Sequence, residues 1–129
     1  MASREIRDLS AKTQIFHNKL ADRFRRDTDL RARNIAPVLT CTYRTPEEQV
    51  KVQAWGGGPR TSQISAVGND GKPASEEFEM MVLVSGQPIN GLPVEAALEM
   101  MYVVEKHAEV VGLEAKPRGF GVFAFKEKR

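Results

Sequence analysis

The stretch that most constrains the fold is 39–49 (LTCTYRTPEEQ), in which a strand pattern passes directly into a helix start. Residues 38–43 are mostly apolar, β-branched or aromatic, which suits a pleated, half-buried strand. Thr45 is then followed by Pro46 and Glu48, a Thr-x-x-Glu capping box with proline at the first helical position. The sequence therefore predicts a strand and a capped helix with almost no loop between them.

Arg44 stands at this junction, after the strand and before the helix N-terminus. A guanidinium at the end of a strand faces the kind of crevice in which ligands are often held, and its planar fork suits a carboxylate or a phosphate. Arg44 is therefore a candidate clamp for an anionic ligand. The alternative is a surface arginine in an ion pair, and this stretch alone does not choose between the two.

Trp55 and the run Gly56-Gly57-Gly58 end the second predicted helix. Trp55 is either an aromatic wall for a sugar or peptide or a core anchor. The glycines either let the backbone approach a ligand closely or stop the helix, and a helix stop is the more common role. No Gly-Lys-Ser/Thr sequence is present here, so the run does not predict a phosphate-binding loop.

Hydrophobic periodicity predicts three helices that alternate with three strands. The helices are predicted over 10–26, 45–55 and 94–111, and the strands over 38–43, 77–84 and 120–125. The apolar stripe predicted for the first helix consists of Ile15, Phe16, Leu20 and Phe24. This order predicts an α+β fold, a small antiparallel sheet packed with about three helices.

Length and composition indicate one soluble domain. The chain has 129 residues, of which 41% are hydrophobic and 28% charged. It is therefore large enough to form a stable hydrophobic core without disulfides or a structural metal. A single cysteine, Cys41, excludes an internal disulfide. No apolar run approaches the roughly 18 residues of a membrane span, and the N-terminus is too polar for a signal peptide, so a cytoplasmic location is expected.

Charge is unevenly distributed along the chain, although the net charge is only +2. Residues 1–36 contain nine Lys/Arg against five Asp/Glu, whereas 76–114 contain eight Glu against one Lys. These two regions are expected either to face each other or to present opposite surfaces. Arginines between 23 and 33 are typical of a solvated helix face, and without an aromatic platform they do not predict nucleic-acid binding. The oligomeric state is left open.

Three short motifs together resemble the M15 family of zinc peptidases, in particular its small phage endolysins. They are the opening Ser3-Arg4-x-Ile6-x-Asp8-Leu9, the strand ending in Thr42-Tyr43-Arg44, and the turn Gly58-Pro59-Arg60-Thr61. The resemblance covers the first half of the chain well and the second half loosely. It implies one M15 peptidase-like domain over 1–129. It also implies a cleft in which Arg44 and Gln49 match positions near the substrate, with Arg60 and Thr61 on the rim.

The family holds zinc with a histidine, an aspartate seven residues later and a second histidine in a His-Phe pair, and an acidic general base precedes that pair by three residues. Such a site leaves an open position for a water whose pKa the metal lowers. In this chain Ala124-Phe125 takes the place of the His-Phe pair, and Gly121 takes that of the base. The resemblance therefore implies that the second ligand and the base are lost.

The first two ligands are also missing from both alignments that the resemblance allows. One alignment places Lys72 and Glu79 at these positions, and the other places Glu77 and Val84 there. The remaining side chains that could bind zinc are His17, Cys41 and His107, and their spacing matches no zinc motif. His17 is expected to be a partly exposed structural histidine, and His107 is expected to be exposed. Catalytic residues, a metal and a cofactor are accordingly not predicted.

These observations favour a phage-type, non-catalytic relative of the peptidases that acts as a binding protein. Its predicted ligand is a small anionic molecule, a cell-wall peptide or a host protein, and the expected location is the host cytoplasm or the virion. A structural or assembly protein of the virion is one alternative. An active peptidoglycan endopeptidase with misassigned ligands is another, because the fold alone does not decide function.

Overall fold

The computed structural model describes residues 2–56, 58–59, 61–88, 91–119 and 121–128. In these residues it contains four α-helices and a five-stranded antiparallel sheet. The elements in chain order are α1 (Ala11–Arg26), α2 (Thr28–Ala32), β1 (Ile35–Cys41), α3 (Pro46–Ala54), β2 (Glu77–Val84), β3 (Gln87–Pro88), α4 (Val94–Val110), β4 (Leu113–Gly119) and β5 (Val122–Glu127). The α+β class predicted from the sequence is confirmed.

The sheet has the strand order β1-β2-β5-β4, and the short β3 pairs with the end of β2. In the described residues β1 is therefore an edge strand, with Pro37 opposite Val82 of β2. The amide of Val82 donates to the carbonyl of Gly121 on the β5 side, so the backbone of Pro37 points away from the sheet. Because proline has no amide hydrogen, it weakens this free edge as a template for another strand.

One face of the sheet is apolar and packs against the helices. Phe78, Met80 and Val82 alternate along β2 and join Phe123 and Phe125 of β5 in a single core cluster. The rings of Phe78 and Phe125 stack with their centroids 5.2 Å apart. The helices contribute Leu20 and Phe24 from α1, Leu30 from α2, and Met100, Val104 and Ala108 from α4.

The opposite face of the sheet, called here the polar face, is polar where Glu77 and Glu79 lie and apolar at its other end, where β2 contributes Met81 and Leu83. Glu77 and Glu79 of β2 point to it, and their cross-strand partners on β5 are Lys126 and Ala124. Both glutamates are buried; Ser62 bonds to Glu77, and Arg44, which precedes α3, bonds to Glu79. The predicted strand 77–84 is observed at the same bounds, and its first four residues are buried on both faces of the sheet.

Five elements were not predicted, namely α2, β3, β4 and the short 3-10 helices Ile6–Asp8 and Gln63–Ser65. The helix α2 has five residues and β3 has two, so neither is long enough to show a period. The strand β4 contains Pro117 and has Gly112 before it and Gly119 at its end. Proline and glycine in such a short stretch are typical of a turn, so the strand was not recognised. The predicted strand 120–125 is observed as Val122–Glu127, and Phe120 lies outside the described residues.

The inward face of α1 also differs from the predicted stripe. Ile15 is 57% exposed, whereas Thr13 and His17 are buried with Leu20 and Phe24. The ring of His17 meets the Phe78 ring edge to face, with the centroids 5.2 Å apart. The expectation of a partly exposed His17 is wrong because residues 13, 17, 20 and 24 share one face at helical spacing, regardless of polarity.

His107 was expected to be exposed and is largely buried, with 13% of its side chain accessible. Its Nε2 lies 2.7 Å from Asp27 Oδ2, and Arg23 Nε donates to its Nδ1 at 3.2 Å. These contacts join the end of α1 to α4. The basic first helix and the acidic fourth helix therefore do meet, at their shared edge. None of the helices described here is long and apolar enough to cross a bilayer.

Candidate functional site

Arg44 and Glu79 form a bidentate ion pair on the polar face of the sheet. Nη1 of Arg44 lies 2.9 Å from Oε2 of Glu79, and Nη2 lies 2.6 Å from Oε1. The two side chains are only 13% and 9% exposed. Burial lowers the pKa of Arg44, but the hydrogen bonds and charge of Glu79 outweigh it and the pKa is raised overall.

Gln49 extends this pair to the glycine loop. Its Oε1 accepts from Arg44 Nη1 at 3.1 Å, and its Nε2 donates to the carbonyl of Pro59 at 2.8 Å. Gln49 is the buried residue of α3 and is 2% exposed. We call the connected groups of Glu79, Arg44, Gln49 and Pro59 the brace, because they tie β2 to the loop after α3.

The predicted capping box fixes the start of α3 and so the position of Gln49. Thr45 Oγ1 accepts from the amide of Glu48 at 3.1 Å, and the carboxylate of Glu48 accepts from the amide of Thr45 at 2.9 Å. Pro46 occupies the first helical position, as predicted. Together these contacts satisfy two backbone donors that the helix itself leaves free.

Two glycines after α3, Gly56 and Gly58, are among the described residues. Gly56 has a φ of +77°, a conformation that stops the helix at little cost only for glycine. A Cβ at Gly58 would lie 3.5 Å from Gln49 Nε2 and 3.9 Å from Arg118 Cδ. A Cβ at Gly58 would thus make only ordinary van der Waals contacts, so the role that the structure supports for these glycines is the helix stop at Gly56.

Beside this loop lies a cleft of about 430 Å³ whose charged lining is mostly basic. We call it the cationic cleft. Its lining consists of Pro59, Thr61, Ser62, Gln63, Glu77, Lys116, Arg118 and Lys126. The three cations come from β4 and β5, and the hydroxyl groups come from the segment that follows the glycine loop.

The cations of the cleft are unequally paired. Lys116 lies 3.1 Å from a carboxylate oxygen of Glu114. Among the described residues, no carboxylate lies within ion-pairing distance of Arg118 or Lys126. Glu77 accepts a hydrogen bond from Ser62 Oγ at 2.8 Å and is 5% exposed. The cleft therefore presents a net positive charge to solvent, which suits a carboxylate or a phosphate.

The residues predicted as ligand contacts lie in different places. Thr61 lines the cationic cleft, whereas Arg44 and Gln49 belong to the brace. Arg44 already binds the carboxylate of Glu79, so an anionic ligand at Arg44 would have to displace that carboxylate. Trp55 is 77% exposed at the C-terminal end of α3 and does not line the cleft. Its alternative role as a core anchor is wrong, and Arg60 lies outside the described residues.

Sequence reasoning missed Lys116, Arg118 and Lys126. The first two belong to β4, which was not predicted, and Lys126 lies one residue beyond the predicted last strand, 120–125. The signal for β4 is the alternation Glu114-x-Lys116-x-Arg118, since residues two apart in a strand share a face.

The residues present do not fit the zinc site that the resemblance implies. Glu79 and Ala124 are cross-strand partners on the polar face, but the Arg44 guanidinium already holds Glu79 and alanine offers no ligand atom. Lys72 is an exposed residue that lines a different cleft. In the other alignment, Val84 pairs with Ile35 at the far end of β2.

The side chains most able to bind a metal each have separate partners. His17 Nδ1 lies 3.0 Å from Asn18 Oδ1, and burial raises the pKa of the Cys41 thiol to about 11. Within the described part of the chain, no group of three or more His, Cys, Asp or Glu residues is placed to hold a metal ion. In comparisons with known proteins, no family model, no curated protein and no solved structure matches the chain.

Proposed function

We propose that the chain is a non-catalytic binding protein that takes a small anionic ligand in the cationic cleft. The observation that carries the proposal is the convergence of Lys116, Arg118 and Lys126 on one cleft. Arg118 and Lys126 have no described carboxylate partner, so an incoming carboxylate or phosphate would gain two charge-assisted contacts without breaking an existing ion pair.

The neighbouring polar groups limit where the anion would bind. Ser62 Oγ already donates to Glu77 and accepts from the amide of Ile64 at 3.1 Å. The buried carboxylate of Glu77 repels a second anion at the floor of the cleft. The ligand is therefore expected at the rim, between Arg118 and Lys126, where the exposed hydroxyl of Thr61 is also available.

In this proposal Arg44 and Gln49 act indirectly. The brace fixes Pro59 and so the loop that borders Thr61, and the aliphatic part of Arg118 lies against Gly58 of the same loop. A preorganised loop lowers the entropic cost of binding. Trp55 does not line the cleft and Arg60 lies outside the described residues, so neither of these two predicted ligand contacts is part of this proposal.

The proposal extends to kinship and location. A phage-type relative of the M15 peptidases that has lost its zinc ligands would retain the strand, the arginine and the capped helix and would use the cleft for binding alone. This kinship rests on the three sequence motifs alone, at residues 3–9, 42–44 and 58–61. The cytoplasm of a host cell or a virion is the proposed location.

The test is a nuclear magnetic resonance titration of the isotopically labelled protein with inorganic phosphate and, separately, acetate. Saturable shifts are expected at the amides of Thr61, Ser62, Lys116, Arg118 and Lys126. Shifts confined to other surfaces, or shifts that never saturate, would contradict the proposal.

A single substitution with a matched control sharpens this test. Arg118→Gln removes one unpaired cation of the cleft, whereas Arg31→Gln removes an exposed cation on α2. Arg118→Gln is expected to weaken phosphate binding about tenfold, since a charge-assisted hydrogen bond contributes roughly 1.5–3 kcal/mol. Equal affinities for the two variants would argue against the cleft.

A further inference from the structure

A second cavity lies beside the cationic cleft, between the start of α1 and the strands β4 and β5. Its volume is about 210 Å³, and we call it the acidic pocket. Its lining consists of Lys12, Thr13, Phe16, Gln63, Glu76, Glu114, Lys126 and Glu127. Two of these residues, Gln63 and Lys126, also line the cationic cleft, so the two cavities adjoin at their side chains. A ligand at the rim of the cleft beside Lys126 is therefore next to the acidic pocket.

The acidic pocket has the opposite charge balance to the cleft, since its lining holds three carboxylates and two cations. Two of the carboxylates are paired within the chain. Glu127 lies 2.5 Å from Lys12, and Glu114 lies 3.1 Å from Lys116. In the described part of the chain, no cation lies within ion-pairing distance of the third, Glu76. Glu76 is therefore the carboxylate of the pocket that is available to a ligand.

The backbone fixes the position of Glu76. Its amide donates to the carbonyl of Gln63 at 3.0 Å, just before the chain enters β2. Glu76 therefore lies next to one of the two residues that both cavities share. The residue is exposed, so a cation that reaches it does not have to displace a buried partner.

Phe16 supplies the apolar part of the pocket. The residue is half-buried, so part of its ring is accessible from the pocket. Aromatic rings and carboxylates both attract an organic cation. Phe16 and Glu76 therefore favour an ammonium or guanidinium group in this pocket, whereas the cleft beside it favours an anion.

Glu77 adds to this selectivity from the cleft. Its side chain is buried, Ser62 donates to one of its carboxylate oxygens, and the other oxygen has no described hydrogen-bond partner. A ligand with two anionic ends would meet this carboxylate or those of the acidic pocket with its second charge. Like charges at short range repel, so such a ligand is disfavoured.

We propose that the ligand is a small zwitterion, with a phosphate or carboxylate group at one end and an ammonium or guanidinium group at the other. This inference rests on the proposed function, because the anionic group occupies the cationic cleft between Arg118 and Lys126. The carbon chain passes Lys126 and Gln63, and the cationic group lies near Phe16 and Glu76. The pocket is smaller than the roughly 300–1,000 Å³ of sites for drug-sized molecules, so the chain is short.

The test compares pairs of phosphate esters that differ only by an ammonium group in place of a methyl group. The pairs are O-phosphoethanolamine with propyl phosphate, 3-aminopropyl phosphate with butyl phosphate, and 4-aminobutyl phosphate with pentyl phosphate. Calorimetry at low ionic strength measures each dissociation constant, with inorganic phosphate as the reference. In at least one pair the amino ester is expected to bind about tenfold more tightly than its alkyl partner, since it adds a charge-assisted contact.

Glu76→Gln assigns this preference to the acidic pocket. The variant is expected to reduce the preference to less than about twofold and to leave the affinity for inorganic phosphate within about twofold of wild type. The control is Glu105→Gln, which changes an exposed glutamate of α4 that lines neither cavity and should keep the full preference. Both side chains are on the surface, so both variants should fold, as circular dichroism checks.

Two results would overturn the inference while leaving the proposed function in place. The first is that phosphate binds but no amino ester binds more tightly than its alkyl partner. The second is that Glu76→Gln keeps the preference of the wild type. If neither phosphate nor any ester binds to the wild-type protein, the proposed function itself is wrong, and the inference that rests on it is wrong as well.

Discussion

The Arg44–Glu79 pair is the residue-scale feature on which the site depends. Taking two charges out of water is costly, and here the cost is offset by two short hydrogen bonds and by Gln49. If either charged partner is removed, the other remains buried without a counter-ion. The strand-end arginine was evident from the sequence, but its partner was not, because Glu79 is 35 residues away.

Glu79→Ala is expected to lower the free energy of unfolding by about 3–5 kcal/mol, since it leaves the Arg44 guanidinium unpaired and buried. Chemical denaturation measures this change. The double variant Arg44→Met, Glu79→Met should cost clearly less than the sum of the two single Met variants, because it leaves no unpaired charge.

The control for this prediction is Glu99→Ala. It removes the Arg33–Glu99 bridge, whose side chains are 38% and 56% exposed, so it should lower the free energy of unfolding far less than Glu79→Ala does. If Glu79→Ala lowers the free energy of unfolding no more than Glu99→Ala does, then the Arg44–Glu79 pair does not stabilise the fold, and the structural role assigned to the brace is wrong.

Cys41 provides a second residue-scale prediction. The side chain is buried on β1, and burial raises the pKa of its thiol to about 11, although the charge of Arg44 acts in the opposite direction. At mildly alkaline pH the native thiol should therefore react with a disulfide reagent far more slowly than the same thiol in denaturant. Reaction of the folded protein at the rate of the unfolded chain would show that Cys41 is accessible.

At the scale of elements, short sequence motifs correctly predicted the structures that depend on neighbouring residues. The capping box fixes the start of α3, and apolar alternation located the buried strand β2 at its observed bounds. The strand β4 was missed because it is stabilised by its ladder with β5 and not by its composition, which includes Pro117. The orientation of α1 was misjudged at Ile15 and His17, since tertiary packing decided which face is buried.

Asp27 joins three elements and gives a prediction for pH. One carboxylate oxygen accepts from the amides of Asp29 and Leu30 at the start of α2, and the other lies 2.7 Å from His107. Burial raises the pKa of Asp27, but the hydrogen bonds from Leu30 and His107 lower it more, so the pKa is below its ordinary value of 3.8.

A carboxyl whose pKa is lower in the folded than in the unfolded state stabilises the fold above its unfolded pKa, and this stabilisation is lost as the pH falls through the folded pKa. Asp27→Asn should therefore destabilise the protein most above about pH 4, and the difference from wild type should shrink at lower pH. Urea unfolding across this range measures it. Asp29→Asn, an exposed acid in the same helix, is the control, and an equal pH profile for both variants would contradict the prediction.

At the scale of the whole molecule, the sheet separates two surfaces. The apolar face holds the core and the helices α1 and α4, whereas the polar face holds the brace and borders the cationic cleft. The sequence located the strand, loop and helix that border this cleft. Its cations were missed, because β4 contains Pro117 and was not recognised as a strand, so the hairpin of β4 and β5 that brings Lys116, Arg118 and Lys126 together was not predicted.

The central claim is that the unpaired cations of the cleft bind an anion, and the dissociation constant of inorganic phosphate measured by calorimetry tests it most directly. Three proteins are compared: wild type, Arg118→Gln with Lys126→Gln, and the control Arg4→Gln with Arg31→Gln, which removes two exposed cations elsewhere. The cleft variant should bind at least about a hundredfold more weakly than wild type, and the control should change binding less than about twofold. Equal losses in both variants, or no measurable binding by the wild type, would contradict the account.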